Sequence, residues 1–177
     1  MTWKVLKSKE VYKNRYMSVT DEKLMTDHGD EVAYGVVHKE PFVVVIPWDG
    51  TKVLLVGQYR YPVDYFSWEL PMGHTENMSL HESALAELEQ EAGLIGQDLT
   101  EIGTFYPAPG HLTQIGHIYV VTKWELGKQE LEPAEKGMQT KWVTLEELRT
   151  MISEGAIKDS PSITSFKFFE LYLANRS

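Results

Sequence analysis

The stretch GHTENMSLHESALAELEQEAGL, residues 73–94, predicts a loop followed by one short helix. Ser79 suits the N-cap position, and Glu82 three residues later completes a capping box, in which each side chain satisfies a backbone N–H of the other residue. Gly93 stands where helices commonly end in a left-handed conformation. We therefore expect an α-helix over residues 80–92.

Two glutamates of this helix, Glu87 and Glu91, differ from the others in the direction they face. At about 100° per residue, the apolar residues form one buried stripe. That stripe consists of Leu80, Ala84, Leu85, Leu88 and Ala92. Glu82 and Glu89 point away from it, toward solvent. Glu87 and Glu91 are four residues apart and share one face at the edge of the stripe, beside the neutral Gln90.

A half-buried pair of like charges suggests a bound cation. The repulsion between carboxylates four residues apart grows as water is withdrawn. Mg²⁺ binds one or two carboxylates together with water and substrate phosphates. Taken by itself, the spacing leaves open the alternative that Glu87 and Glu91 belong to a solvated acidic face.

The composition narrows the class of partner. The chain has 177 residues, with 17 Lys plus Arg against 26 Asp plus Glu, for a net charge of −9. We expect no nucleic-acid partner, because that affinity depends on basic residues that neutralise phosphates. If this acidic protein handles a phosphate compound, a cation must mediate.

The length fits one soluble globular domain. The longest apolar run, 42–48, is too short for a membrane helix, and the charged N-terminus has no signal-peptide core. The sequence has no cysteine, which excludes disulfides and thiolate metal sites. We expect a cytoplasmic protein without a membrane partner.

The rest of the chain predicts strands that alternate with two further helices. Residues 1–40 contain short alternating segments with a turn at Gly29-Asp30, and compact apolar runs flank the hairpin dipeptide Asp49-Gly50. Further strand patterns lie at 114–122 and 138–144. Thr144 with Glu147 repeats the capping box, and a third helix is predicted from Ser160, with proline as its first helical residue. The predicted fold class is α/β, with a mixed sheet between helical layers.

The segment 73–94 resembles the Nudix box, which ends in Arg-Glu-aliphatic-any-Glu-Glu-any-Gly-aliphatic. Five positions match: Glu87, Leu88, Glu91, Gly93 and Leu94. The flanking motifs QYRYP (58–62), WELP (68–71) and FYPAPG (105–110) are similar to the ADP-ribose and nucleoside diphosphate sugar pyrophosphatase branch of this family. The resemblance extends through KWV (141–143) and covers most of the chain.

This resemblance implies a Nudix-type α/β/α sandwich over residues 41–177, preceded by N-terminal antiparallel strands over 1–40 that form a homodimer. The implied reaction is hydrolysis of the pyrophosphate of ADP-ribose or another nucleoside diphosphate sugar, with Mg²⁺ or Mn²⁺. The products are a nucleoside monophosphate and a sugar phosphate.

The box departs from the family pattern in its loop and in its helix. In the helix, Ala86 stands where the family has arginine, and Gln90 stands where it has the middle glutamate. In the loop, Met78 stands near the position of the family's early glutamate, and the loop from Gly73 is one residue shorter than usual. Loss of one acid should weaken a second or third metal ion most. These departures keep an alternative open: a non-catalytic Nudix module that binds a nucleotide.

Carried over to this chain, the family pattern implies that Glu87, Glu91 and the main-chain carbonyl of Met72 ligate the principal metal, with Gln90 as an auxiliary ligand or hydrogen-bonding neighbour. Glu91 thereby also belongs to the catalytic group. Arg60 would contact a phosphate, for which a guanidinium suits by its bidentate geometry. A surface arginine is the alternative.

The resemblance assigns the remaining roles to Glu69 and to two loops. Glu69 would lie beside the metal helix or form a structural ion pair. Pro109 and Gly110 would belong to the substrate-binding loop. The catalytic base would come from a late acidic loop, where we favour Glu135 and then Glu132, although either could be a solvated loop acid.

Overall fold

The computed structural model describes residues 2–75 and 78–176. Residues 76 and 77, in the loop predicted before the first helix, lie outside the described residues. The chain divides into two compact units. The smaller unit extends to Pro41 and includes Tyr106–Ile115, and the larger comprises Phe42–Phe105 and the chain from Gly116 onward. Chain order suggested a boundary after residue 40. Chain order could not indicate that the later segment Tyr106–Ile115 belongs to the same unit as the N-terminal strands.

The smaller unit contains one antiparallel sheet. Its strands are β1 (Lys4–Lys13), β2 (Ser18–Met25) and β3 (Glu31–His38), in that spatial order. Gly29, at a φ of 88°, supplies the left-handed residue that the turn between β2 and β3 needs. Every residue of β1 is exposed, and its pairing with β2 is interrupted by two register shifts.

The larger unit is built on a mixed sheet of four strands. Their spatial order is β7 (Met72–His74), β4 (Phe42–Pro47), β10 (Gly116–Val121) and β9 (Thr100–Phe105). The β4–β10 pair is parallel, and the other two pairs are antiparallel. The predicted mixed sheet is therefore confirmed.

A second sheet and a short ribbon complete the strands of this unit. The second sheet is antiparallel, in the order β12 (Gln139–Thr144), β5 (Lys52–Arg60), β6 (Tyr65–Glu69). A 3₁₀ turn, Tyr61–Val63, joins β5 to β6. The ribbon pairs β8 (Leu94–Gly96) with β11 (Trp124–Leu126).

Helices cover both faces of the mixed sheet. They are α1 (Leu80–Ala92), α2 (Leu145–Ser153) and α3 (Ser160–Ala174). Side chains alternate along β4, so Val43 and Val45 pack with α1 in one apolar cluster, while Val44 and Ile46 pack with α2 and α3 in another. The larger unit is thus the α/β/α sandwich that the sequence predicted.

The two predicted capping boxes are present, with Ser79 capping α1 and Thr144 capping α2. Gly93 ends α1 at a φ of 65°. The cap of α3 differs from the prediction. Asp159, rather than Ser160, accepts from the N–H of Ser162. A carboxylate caps as well as a hydroxyl does, and Ser160 instead begins the helix.

The turn at Asp49-Gly50 forms, but it does not create a hairpin within one sheet. Asp49 Oδ1 accepts from the N–H groups of Thr51 and Lys52, both at 2.7 Å. Trp48 and Val53 then form a single bridge, after which β4 and β5 diverge into different sheets. A favourable turn dipeptide specifies the chain reversal and not the length of the ladder.

Two tryptophans stack against the α1 side of the sandwich. The rings of Trp124 and Trp142 have centroids 5.5 Å apart and planes 25° apart. Both pack on the apolar cluster that contains Ala84 and Leu88 of α1. Within residues 2–75 and 78–176, no helix has the length and apolar character that crossing a membrane requires.

Candidate active site

Helix α1 presents Glu87 and Glu91 toward the interior, while Glu82 and Glu89 are exposed. Glu91 is only 2% exposed, and Glu87 is half-buried. One Glu91 oxygen, Oε2, accepts from the N–H of Met72 at 2.9 Å. The helical spacing therefore predicted the correct face, and the structure buries Glu91 further than an edge position would.

Gly73 in β7 leaves the space that the Glu87 carboxylate occupies. An ideal Cβ built on Gly73 would lie 1.8 Å from Oε1 of Glu87 and 2.1 Å from its Cδ, far inside contact distance. Any other residue at this position would displace the carboxylate or the strand. Glycine at this position therefore leaves the Glu87 carboxylate where it is.

The Glu91 carboxyl is electrostatically unfavourable as an anion in the unliganded protein. Burial raises its pKa well above the usual value, and the charges of Glu87 and Glu135 raise it further. The hydrogen bond from Met72 and the charge of Arg60 oppose this shift. A cation placed between Glu87 and Glu91 would remove the main repulsion.

The donor set fits a hard divalent cation. Glu87 and Glu91 offer carboxylate oxygens on one helix face, beside the backbone of β7, to which Met72 belongs. Across the described ranges, no three His, Cys, Asp or Glu side chains are grouped so that they could hold a metal by themselves. The predicted set does not need such a group, because it includes a main-chain carbonyl. The Gln90 side chain is exposed, and its role as an auxiliary ligand stays a prediction.

Arg60 and Glu69 form an ion pair across the β5–β6 hairpin. Arg60 Nε donates to both Glu69 oxygens, at 3.0 and 3.2 Å, and Nη2 also contacts Oε2. Glu69 is 2% exposed, and its hydrogen bond raises the pKa of Arg60. The structural ion pair, left open for Glu69 by the sequence, is thus formed. The phosphate contact of Arg60 stays a prediction.

A groove of about 550 Å³ opens beside this pair. Its walls include Arg60, Tyr65 and Glu69 from the second sheet and Lys158 and Asp159 from the segment before α3. The Lys158 ammonium lies over the Tyr65 ring, 4.4 Å from its centroid. The volume falls within the range of small-ligand sites, roughly 300–1,000 Å³.

The two candidate bases differ in their surroundings. Glu135 is half-buried and lies near enough to raise the pKa of Glu91, whereas Glu132 is exposed. Glu135 Oε2 accepts from the N–H of Glu132 at 2.9 Å, which holds the carboxylate against its own loop. The charge of Glu135 therefore acts on Glu91, and the choice between Glu135 and Glu132 as the base stays a prediction.

Pro109 and Gly110 belong to the smaller unit, and their role in substrate binding stays a prediction. The sequence reasoning missed Lys158, Asp159 and Ser162 as neighbours of the site. The only local signal was an aspartate immediately before the Ser-Pro start of α3, in the position of a helix cap.

An α/β/α sandwich with paired carboxylates on one inward helix face is the arrangement that the sequence led us to expect of a Nudix hydrolase. Comparison with known proteins agrees: the model of the NUDIX domain matches residues 38–166. The chain therefore belongs to the NUDIX family and is a Nudix hydrolase.

Two curated relatives align over nearly the whole chain. An ADP-ribose pyrophosphatase of Bacillus subtilis (strain 168) is 25% identical over 172 residues, which cover 95% of this chain and 92% of the relative. A methanol dehydrogenase activator of Bacillus methanolicus is 25% identical over 175 residues, with the same two coverages of 95% and 92%.

A crystal structure of an ADP compounds hydrolase has a TM-score of 0.88 to this chain at 15% sequence identity. The match covers 100% of this chain and 97% of the other. At this identity the likeness establishes the fold, which confirms the Nudix-type sandwich.

Proposed function

We propose that this protein hydrolyses the pyrophosphate bond of ADP-ribose or another nucleoside diphosphate sugar to a nucleoside monophosphate and a sugar phosphate, in a reaction that depends on Mg²⁺ or Mn²⁺. The observation that carries the proposal is the buried Glu91, which shares the inward face of the Nudix helix with Glu87. The charge of Glu135, from a later loop, also acts on Glu91. A divalent cation would offset the repulsion between Glu87 and Glu91 and could bind substrate phosphates as well.

Glu87, Glu91 and the carbonyl of Met72 would hold the ion. When bound, a divalent cation neutralises charge on phosphate oxygens and lowers the pKa of water. The chain itself orients the two carboxylates. The Met72 N–H donates to one Glu91 oxygen, and Gly73 leaves room for the Glu87 carboxylate. The hydrogen bond from Met72 also restricts the side-chain rotamers of Glu91.

Glu135 would accept the proton of the attacking water. Glu135 is half-buried, its charge acts on Glu91, and the hydrogen bond from the Glu132 N–H holds its carboxylate in the loop. As the water oxygen bonds to phosphorus, the bridging P–O bond breaks and the proton passes to Glu135. Glu132 is the second candidate for this role.

The groove beside Arg60 and Glu69 would receive one half of the substrate. Its volume of about 550 Å³ suits a sugar or a base, and its carboxylates and hydroxyls suit a polyhydroxylated group. The relative named as an ADP-ribose pyrophosphatase supports this substrate class. Pro109 and Gly110 are proposed to contact the substrate from their loop.

We further propose a homodimer formed through the N-terminal sheet. β1 is an edge strand that is exposed along its whole length. Large apolar side chains are exposed in and beside it, among them Trp3, Val5, Val11 and Tyr12. Exposed edges and apolar patches of this kind mark protein interfaces.

A second candidate function is nucleotide binding without cleavage. The observation that favours it is Gln90, which stands where the family has a glutamate and is exposed in this structure. One fewer negative charge beside Glu87 and Glu91 lowers the capacity for additional metal ions.

The test compares Glu87→Gln and Glu91→Gln with Glu89→Gln, an exposed acid on the same helix, as the matched control. Phosphorus NMR follows ADP-ribose, UDP-glucose and GDP-mannose with Mg²⁺ or Mn²⁺. We expect new monoester signals for the wild type and the control, and a loss of about 100-fold or more in rate for the other two variants.

Equal rates in all four proteins would refute the metal assignment. Binding of ADP-ribose by the wild type without monoester signals would support the nucleotide-binding module instead. Restoring the family residue with Gln90→Glu then tests whether metal loading limits the rate.

A further inference from the structure

Ser162, in the first turn of α3, connects this helix to the backbone that precedes the metal site. Its hydroxyl is buried, and the residue is only 3% exposed. The oxygen accepts from the N–H of Leu70 at 2.9 Å, across 92 residues of sequence. The same hydroxyl donates to Asp159 Oδ2 at 2.7 Å, and Asp159 also caps the helix by accepting from the Ser162 N–H at 2.8 Å.

The segment Leu70–Met72 is held at three consecutive residues by three different elements. Ser162 of α3 bonds to Leu70, as described. The carbonyl of Pro71 accepts from the N–H of Val45 in β4 at 2.9 Å. The N–H of Met72 donates to Glu91 of α1 at 2.9 Å. One short stretch of backbone therefore joins both helical layers to the central sheet.

We propose that Ser162 is a positioning residue for the metal site, acting through the Leu70–Met72 backbone on Glu91. The inference rests on the proposed function, because it takes Glu91 and the Met72 carbonyl as metal ligands. The Ser162 hydroxyl is oriented by Asp159, so its lone pair faces Leu70. Two residues further on, the Met72 N–H donates to Glu91 Oε2, and the Met72 carbonyl is the one that would ligate the ion.

The removal of the hydroxyl leaves a buried N–H at Leu70 without its partner, and the segment must shift to find another. Such a shift changes the donor that orients Glu91. Loss of groups that orient metal ligands typically lowers metal affinity by about 10–100-fold. Because Ser162 acts on Glu91 only through the Leu70–Met72 backbone, we expect the lower end of that range, about 10-fold.

The same helix supplies a matched control, Ser165. It is fully buried at 0% exposed, and its Oγ has no hydrogen-bond partner among the described residues. Ser165→Ala therefore removes the same atom from the same layer without breaking a hydrogen bond. A second control, Ser162→Thr, keeps the hydroxyl and tests for rescue.

Three measurements decide the proposal. The affinity for Mn²⁺ is measured by calorimetry without substrate, amide hydrogen exchange is followed at Met72 in the metal-free protein, and kcat and KM are measured for ADP-ribose. For Ser162→Ala we expect about 10-fold weaker Mn²⁺ binding, faster exchange at Met72, and a lower kcat at fixed metal concentration with little change in KM. Ser165→Ala and Ser162→Thr should remain near the wild type.

Wild-type Mn²⁺ affinity and wild-type exchange at Met72 in Ser162→Ala would overturn the proposal. Equal losses in Ser165→Ala would also overturn it, because they would indicate a general loss of packing. If Ser162→Ala does not fold, the same criteria apply to Asp159→Asn, which weakens the orientation of the hydroxyl. A wild type without hydrolysis would refute the proposed function alone, since the exchange at Met72 still reports the positioning.

Discussion

The Glu87 carboxylate lies against the Cα of Gly73, in the space where a side chain at that position would begin. Gly73→Ala should therefore displace Glu87 from the site, because the added Cβ would fall 1.8 Å from Oε1. We expect a loss of about 10–100-fold in Mn²⁺ affinity, with far-ultraviolet circular dichroism unchanged. Calorimetric titration measures the affinity.

Gly35→Ala is the control, since no atom of the described residues, apart from its two chain neighbours, lies within 4 Å of a Cβ built there. Wild-type Mn²⁺ affinity in Gly73→Ala would contradict the role given to this contact.

The raised pKa of Glu91 predicts how stability depends on pH in the metal-free protein. In the unfolded chain a glutamate titrates near pH 4.3, whereas burial and Glu87 raise the folded pKa well above this. Glu91 therefore contributes stability that is complete below the unfolded pKa and is lost as the pH rises through the folded pKa. Glu91→Gln has no such loss.

We therefore expect Glu91→Gln in chelator to become progressively more stable than the wild type as the pH rises from about 4 to 8. Urea denaturation measures this difference. Added Mg²⁺ should stabilise the wild type and the Glu89→Gln control, but not Glu91→Gln. A difference that stays constant with pH would show that the burial of Glu91 has no electrostatic cost.

The ion pair of Arg60 with Glu69 predicts an asymmetric result on mutation. The Glu69 side chain is 3% exposed and that of Arg60 is 40% exposed. Arg60→Ala leaves a buried charge without its partner, and we expect a loss of about 3 kcal/mol, the lower end of a range of roughly 3–5 kcal/mol, because Arg60 is partly exposed.

Glu69→Gln in the same background should recover part of this loss, since it removes the uncompensated charge. Urea denaturation of both single variants and the double variant measures the coupling. Additive effects would indicate that the two side chains do not depend on each other.

If the exposed strand β1 forms the dimer interface, acidic substitutions on this strand should dissociate the dimer. Val5→Glu with Val11→Glu places two carboxylates on a strand whose valines are 55% and 54% exposed. Light scattering after gel filtration should give a dimer for the wild type and a monomer for this variant. Leu126→Glu is the control, because Leu126 is equally apolar and 86% exposed in the larger unit. A monomeric wild type at micromolar concentration would refute the interface.

Local sequence signals predicted the helices well, because caps involve residues only three apart. Ser79 with Glu82, and Thr144 with Glu147, each form the box that their spacing indicates. The choice of cap for α3 was less accurate, since Asp159 and Ser160 are adjacent and both are good caps. Only the path of the backbone decides between them.

The sequence predicted only the part of the site that the helix α1 contributes. Helical periodicity placed Glu87 and Glu91 on one face, because both belong to the same helix. The groups around that face come from other parts of the chain. Met72 donates to Glu91 across 19 residues, and Ser162 accepts from the nearby Leu70 across 92 residues. Neither composition nor period contains this information, since such contacts depend on how the layers pack. The pairing of Arg60 with Glu69 depends likewise on the register of the β5–β6 hairpin.

The stacked indoles of Trp124 and Trp142 lie on the same apolar layer as α1. Rings this close, with nearly parallel planes, couple their electronic transitions, so the native fold should display an exciton couplet in its dichroism spectrum. The couplet vanishes once the rings separate. The protein thus carries an intrinsic optical probe, without any label, for the layer that holds its acidic pair.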